Sequence, residues 1–331
     1  MRAGESQQPC KSGAYHSDAT AMIAAMSSPR PLDFAGVTIM LVLCMSWAFQ
    51  QIAVKLALPE IGALAQGTLR SIGATVIVGL YILWRRRSQG WMQGLTAPGL
   101  LAGMFFGLEF MLLYAALEYT DAGRAIMFLY TAPFVVALGG HFLLPGERLD
   151  TKSVIGIVLA FAGVAVALDP AASADGDAWL GDLMALSSGI LWGMTTLIIK
   201  ATRLKHGPAA QVLWYQLAVG AVMFLAGAWL TGDQLLVTMG PVSVASLVYQ
   251  TVWVASITFG IWFVLIVRYS PTTLSVVTFV TTLFGAAFGY LFLGELLGAE
   301  HVFAVVAVAT GILLVSLPRA TVGADPARDA A

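Results

Sequence analysis

Two ionisable side chains stand out within long apolar runs: Arg70 inside Ile61 to Trp84, and Glu109 inside Pro98 to Leu117. A charge at membrane depth is costly enough to be a functional candidate by default. At a rise of about 1.5 Å per helical residue, Arg70 lies roughly 13 Å below the outer end of its run. Glu109 lies roughly 16 Å above the inner end of the next, so in a hydrocarbon core of about 30 Å the two share a depth and can pair. Two chemistries fit. Arg70 holds a substrate carboxylate while Glu109 holds a substrate amine or a coupling proton; alternatively, the two form a buried ion pair that only locks neighbouring helices.

Uncharged polar groups cluster at Ser46, Gln50 and Gln51, and again at Gln211, Gln216 and Gln250. An amide in hydrocarbon needs partners, either a ligand or a neighbouring helix, and Gln50 stands out because it lies one turn above Trp47. Aromatic side chains at helical depth include Trp47, Phe106, Phe110, Tyr114, Tyr130, Trp192, Trp214, Tyr249, Trp253 and Trp262. They suit stacking and cation-π contact with amphipathic or cyclic ligands, or equally packing between helices and against lipid. The substrate-binding candidates are therefore Trp47, Gln50, Arg70, Glu109, Tyr114, Tyr130, Trp192 and Trp253, with Glu109 also the coupling candidate. Pro133 removes one backbone hydrogen bond from its helix and makes either a hinge or a static bend. Gly103 with Gly107, Gly189 with Gly193 and Gly285 with Gly289 are spaced for close helix packing. Glu147 and Glu295 read as capping or loop-fixing charges, and His141 as a locally bonded side chain.

The elements that must position these residues follow from composition. Of 331 residues, 59% are hydrophobic and 11% charged, against about 25% charged in a soluble domain. Runs long enough to cross a bilayer occur ten times: Phe34 to Val54, Ile61 to Trp84, Pro98 to Leu117, Ala122 to Leu144, Lys152 to Leu168, Trp179 to Lys200, Pro208 to Leu230, Val242 to Val267, Pro271 to Leu293 and His301 to Leu317. The expected fold is an all-α integral membrane bundle of ten transmembrane helices with no room for a soluble domain. Residues 1–31 read as a disordered cytoplasmic extension, with Met22 and Met26 as alternative starts, and residues 318–331 as a cytoplasmic tail. No cleaved signal segment is expected. With both termini inside, fourteen Lys and Arg fall on the cytoplasmic side, Lys55 and Arg124 fall outside, and Arg70 lies within a helix. That bias orients the chain N-in, C-in as a multi-pass protein of the plasma (inner) membrane.

The chain also repeats itself. Gly36, Trp47 and Lys55 match Gly181, Trp192 and Lys200, and Glu147, Val154, Gly163 and Pro170 match Glu295, Val302, Gly311 and Pro318. Between them, Leu117-Glu118-Tyr119-Thr120 faces Val267-Arg268-Tyr269-Ser270. Each copy holds five helices, and an odd number makes the second copy enter the membrane from the opposite side. Inverted repeats of this kind are a plan for secondary transporters that alternate access around a midplane site.

Leu113-Tyr114-Ala115-Ala116-Leu117-Glu118-Tyr119-Thr120-Asp121-Ala122, then Pro133 and Gly146-Glu147-Arg148-Leu149, with a second copy from Gly181-Asp182-Leu183 through Trp192 to Gly294-Glu295-Leu296, resemble the repeat of the drug/metabolite transporter superfamily, EamA type. The resemblance spans 34–168 as a first repeat and 179–317 as a second. It implies a carrier of small organic metabolites, usually an exporter of amino acids or related compounds, with helices of both repeats around a central cavity. The proline expected in the ninth helix is replaced by Thr281 or Thr282, so the resemblance does not imply a bend there to match Pro133.

Several classes are set aside by what is missing. There is no P-loop, so the chain itself binds no ATP and implies no ATP-binding subunit. The lack of a basic face excludes nucleic acid, and four scattered histidines show no metal spacing. No nucleophile elbow points to an enzyme, and no cofactor is implied. The expected partners are a small-molecule substrate, the lipid bilayer and, through Glu109, protons. The leading expectation is amino-acid efflux by alternating access; uptake of a vitamin or other cyclic nutrient, or a non-transporting scaffold or sensor, are the other readings.

Overall fold

A computed structural model describes residues 33–85, 96–144, 149–167, 177–235, 237–269, 274, 277–296 and 298–316. The expectations placed on the two tails, on Glu147 and on Pro170 lie outside these residues. Ten helices follow one another: α1 (Phe34–Ala57), α2 (Ala63–Arg85), α3 (Ala97–Ala116), α4 in two pieces (Ala122–Leu129 and Ala132–Leu143), α5 (Thr151–Ala167), α6 (Ala178–Ala201), α7 (Ala209–Thr231), α8 in three (Pro241–Val248, Tyr249–Thr258 and Phe259–Arg268), α9 (Val280–Phe288 continued by Gly289–Leu293) and α10 (Ala299–Ser316). No strand forms among the described residues. Seven of the ten are long and apolar enough to cross a membrane; α5, α9 and α10 contribute shorter apolar stretches. The expected start of the ninth near Pro271 lies outside the described residues.

Local chemistry sets the ends. The Asp33 carboxylate accepts the Gly36 N–H at 2.7 Å, and the Thr96 hydroxyl accepts the Gly99 N–H at 3.3 Å, each satisfying a donor that an N-terminal turn leaves orphaned. Gly232 and Gly294 terminate α7 and α9 at φ of 79° and 69°, a left-handed conformation that glycine adopts without a Cβ clash.

The packing follows the repeat. Exchanging α1–α5 for α6–α10 maps each main interface onto another or onto itself: α3 against α6 becomes α8 against α1, α3 against α7 becomes α8 against α2, and α4 against α6 becomes α9 against α1, while α2–α7, α4–α9 and α5–α10 map onto themselves. Glycines make the closest approaches possible. An added Cβ at Gly67 would lie 2.0 Å from Phe224, and the Gly107 and Gly220 backbones meet where α3 crosses α7.

Helix α4 breaks at Tyr130 and Thr131, and Pro133 sits in the first turn of its second piece. Without an N–H, Pro133 leaves the Leu129 carbonyl with no donor from the next turn. That carbonyl and the one of Phe128 point at Gly189 of α6, where a Cβ would stand 2.7 Å from each. In the equivalent helix, which has no proline at this point, Phe279 interrupts the helical run, and the Thr282 hydroxyl donates to the Phe279 carbonyl at 2.8 Å.

Candidate functional site

Arg70 of α2 is fully buried, at 0% exposure, and its Nε, NH1 and NH2 have no hydrogen-bond partner. Its guanidinium lies over the Phe110 ring at 4.4 Å and near that of Tyr114 at 5.8 Å. Glu109, the neighbour of Phe110 on α3, is within Coulombic reach of Arg70, yet no hydrogen bond joins them and Oε2 of Glu109 is also unpartnered. The two lie near each other, as expected from the sequence; the direct ion pair does not form, and the guanidinium sits on an aromatic face instead.

Gln50 of α1 lies beside the Tyr114 hydroxyl, and its Nε2 is buried without a partner. Tyr114 donates to Oε1 of Gln250 at 2.6 Å; Gln250 donates to Oε1 of Gln66 at 3.1 Å and to Ser246 at 2.8 Å. Gln50, Arg70, Glu109 and Tyr114 are thus gathered from α1, α2 and α3, with Gln250 of α8 holding the Tyr114 hydroxyl. Buried donors and acceptors are normally paired, and a buried unmade bond is expensive. This cluster concentrates the exceptions: a cation with three open donors, a carboxylate oxygen and an amide N–H.

The other candidates form two further groups. Tyr130 and Trp192 meet edge to face at 5.5 Å, with Thr281 and Cys44 beside Tyr130. Trp47 donates to the Thr258 hydroxyl at 3.0 Å and packs on Trp262 and Phe259, while Trp253 donates to the Ser46 hydroxyl at 2.9 Å. Trp47 and Trp192, equivalent in the repeat, therefore have unlike neighbours: α8 for one, α4 for the other. Gln250, Trp253 and Thr258 all lie on the Tyr249–Thr258 stretch, which has π-helical winding, a feature frequent at functional sites.

Sequence reasoning missed a second buried charge cluster. Arg124, counted only as a charge on the outer side, lies buried in the first turn of α4 at 5% exposure, and Asp182 lies one turn into α6 at 0%. Arg124 Nε donates to both carboxylate oxygens at 3.1 Å, NH2 adds a third bond, and the Thr120 hydroxyl donates to Oδ1 at 2.5 Å. Glu109 is therefore not alone as an acid within a helix. The signal was available: both residues fall inside their own apolar runs, near ends that five-helix counting places on one face.

That face carries three more carboxylates that cross between the repeats. Asp233, after α7, accepts the N–H groups of Leu64 and Ala65 at 3.1 and 3.3 Å at the start of α2. Glu60, after α1, accepts the Gly240 N–H at 2.6 Å at the start of α8. Glu295, after α9, accepts the Ala122 and Gly123 N–H groups at 2.7 and 3.1 Å at the start of α4, and Lys55 reaches it at 3.5 Å while donating to the Thr120 carbonyl at 2.8 Å. Carboxylates suit the positive ends of helices. Burial pushes the Glu295 carboxyl above the ordinary glutamate range, against the lowering effect of the Ala122 and Gly123 N–H groups and of Lys55.

With this geometry in view, the family described as the EamA-like transporter family matches the chain twice, at residues 34–168 and 179–317. An uncharacterized transporter of Archaeoglobus fulgidus is 25% identical over 75% of this chain and 86% of its own length. A protein of Escherichia coli K12 named "Probable amino-acid metabolite efflux pump" is 27% identical over 62% of this chain and 71% of its own. A crystal structure superposes with a TM-score of 0.60 at 18% identity, covering 84% of this chain and 94% of that one, a likeness of fold. The chain belongs to the EamA-like transporter family and is a multi-pass membrane transporter.

Proposed function

We propose that this EamA-like transporter moves amino acids or related amphipathic carboxylates outward by alternating access, with Arg70 as the carboxylate anchor. One observation carries the reading: a fully buried guanidinium with three donors and no acceptor. A ligand carboxylate would accept from Arg70 in the two-bond geometry that guanidinium favours, and the Phe110 ring fixes the orientation of the fork. Glu109 then takes the substrate amine, or the proton that drives exchange. Gln50 donates to a ligand oxygen, and Tyr114 holds the aromatic floor. The name of the Escherichia coli relative supports this substrate class.

The four carboxylate links between repeats act as clasps. By the distribution of Lys and Arg they lie on the outer face, so substrate reaches Arg70 from the cytoplasm and export requires the clasps to release. Cysteine labelling at Asp175 and Arg86 from opposite sides tests that orientation. The transport reading is tested with purified protein in liposomes, screening labelled metabolites with and without an imposed pH gradient. Amino-acid flux that responds to the gradient is expected; flux indifferent to it would remove Glu109 as the coupling group, and no flux of any small carboxylate would remove the reading.

A further inference from the structure

An apolar cleft of 360 Å³ opens between α3, α4 and α6, lined by Pro98, Leu101, Leu143, Leu197, Ile198 and Ala201 among others, with Thr202 its one polar residue. It lies far from Arg70 in the sequence of helix turns: it involves the first turn of α3 and the last turns of α4 and α6, which alternation of the helices places on the face opposite the clasps. Along α6 it runs from Met194 to Thr202, roughly 12 Å at helical rise, close to the roughly 15 Å depth of one leaflet's hydrocarbon. Immediately beyond its mouth the chain turns through Arg203–His206, with Arg203, Lys205 and His206 exposed, and this turn rests against α3. From Leu183 to Gly232 there is no acidic residue. A greasy slot one leaflet deep with cations at its rim matches a molecule with an apolar tail and an anionic head.

We propose that this cleft is a binding site for one anionic phospholipid, an acyl chain lying in the slot and the phosphate held by Arg203 and Lys205. Basic pockets between transmembrane helices recognise such headgroups, and each basic residue near the membrane surface contributes enough to change affinity about fivefold. The apolar lining supplies affinity for any acyl chain; the basic turn supplies the preference among headgroups. This site is separate from Arg70 and stands whether or not carboxylates are the transported species.

The test uses the full chain purified in detergent and incubated with equal phosphatidylglycerol and phosphatidylcholine, with retained lipid read by native mass spectrometry. Wild type should retain phosphatidylglycerol in preference. Arg203→Gln with Lys205→Gln, both at exposed positions, should lower that preference on the order of 25-fold, and Ala201→Phe, which fills the slot, should lower retention of both lipids. A third arm offers inorganic phosphate alone. Equal retention of the two lipids by wild type, an unchanged preference in the double variant, or displacement of phosphatidylglycerol by phosphate at equal concentration would each overturn the proposal.

Discussion

Two arginines are buried among the described residues, and they are held in opposite ways. Arg124 is saturated along one edge: both oxygens of Asp182 accept from its Nε, one also accepts from NH2, and the Thr120 hydroxyl donates to the same carboxylate. Arg70 has an aromatic face beneath it and no acceptor for any nitrogen. The saturated one joins α4 of the first repeat to α6 of the second, so it fixes where the repeats sit. The open one sits among other unmatched polar atoms at mid-helix depth, where a ligand would complete it. Charge alone does not separate a lock from a binding site; the count of satisfied donors does.

The largest expected effect follows from breaking the lock. Arg124→Met leaves Asp182 buried and uncompensated, which should cost about 3–5 kcal/mol, visible as a fall in the melting temperature or loss of folded protein. Arg124→Met with Asp182→Leu should recover most of that loss. Arg70→Met removes an unpaired buried charge and should leave melting unchanged or raise it, while abolishing flux. If Arg70→Met melts as low as Arg124→Met, the contrast between the two arginines fails.

A smaller effect sharpens the open site. Phe110→Leu removes the ring under the guanidinium and should weaken substrate binding by about 0.5–2 kcal/mol, read as a rise in the half-saturating concentration with the folded fraction unchanged. The smallest effect concerns the clasps. The clasped form holds the Glu295 carboxyl above its ordinary range by burial, whereas a released, hydrated Glu295 titrates normally. The clasped form thus binds the proton more tightly, and its advantage, complete below the ordinary glutamate pKa, is lost as pH rises through the raised one. Spin labels across α4 and α9 should report a longer distance as pH rises through that window, and Glu295→Gln should flatten the response.

Much of this was legible in the chain. Ten helices came from run length, and the twofold pattern of interfaces from Gly36, Trp47 and Lys55 matching Gly181, Trp192 and Lys200. Arg70, Glu109, Gln50 and Tyr114 were candidates because hydrocarbon makes polar side chains conspicuous. What was not legible depended on where a side chain points. Arg124 was counted only as an outer-side cation because counting charges by side ignores that the first turn of a helix can be buried. Counting helical rise placed Arg70 and Glu109 near each other, but it leaves the rotation of each helix open, and rotation decides that Arg70 meets Phe110. The interruption at Phe279 escaped because proline was the sign sought, and no proline stands there.

Transport turns on whether Arg70 receives a carboxylate, and counterflow in liposomes measures this directly. Purified protein is loaded with a transported amino acid, and entry of its labelled form is challenged with unlabelled amino acids or with the matching amino-acid amides, which keep the amine and side chain but lose the anionic oxygen pair. The amino acids should compete and the amides should not, and folded Arg70→Met should show no counterflow. Equal competition by acid and amide, or wild-type counterflow in Arg70→Met, would contradict the assignment of Arg70 as the carboxylate anchor.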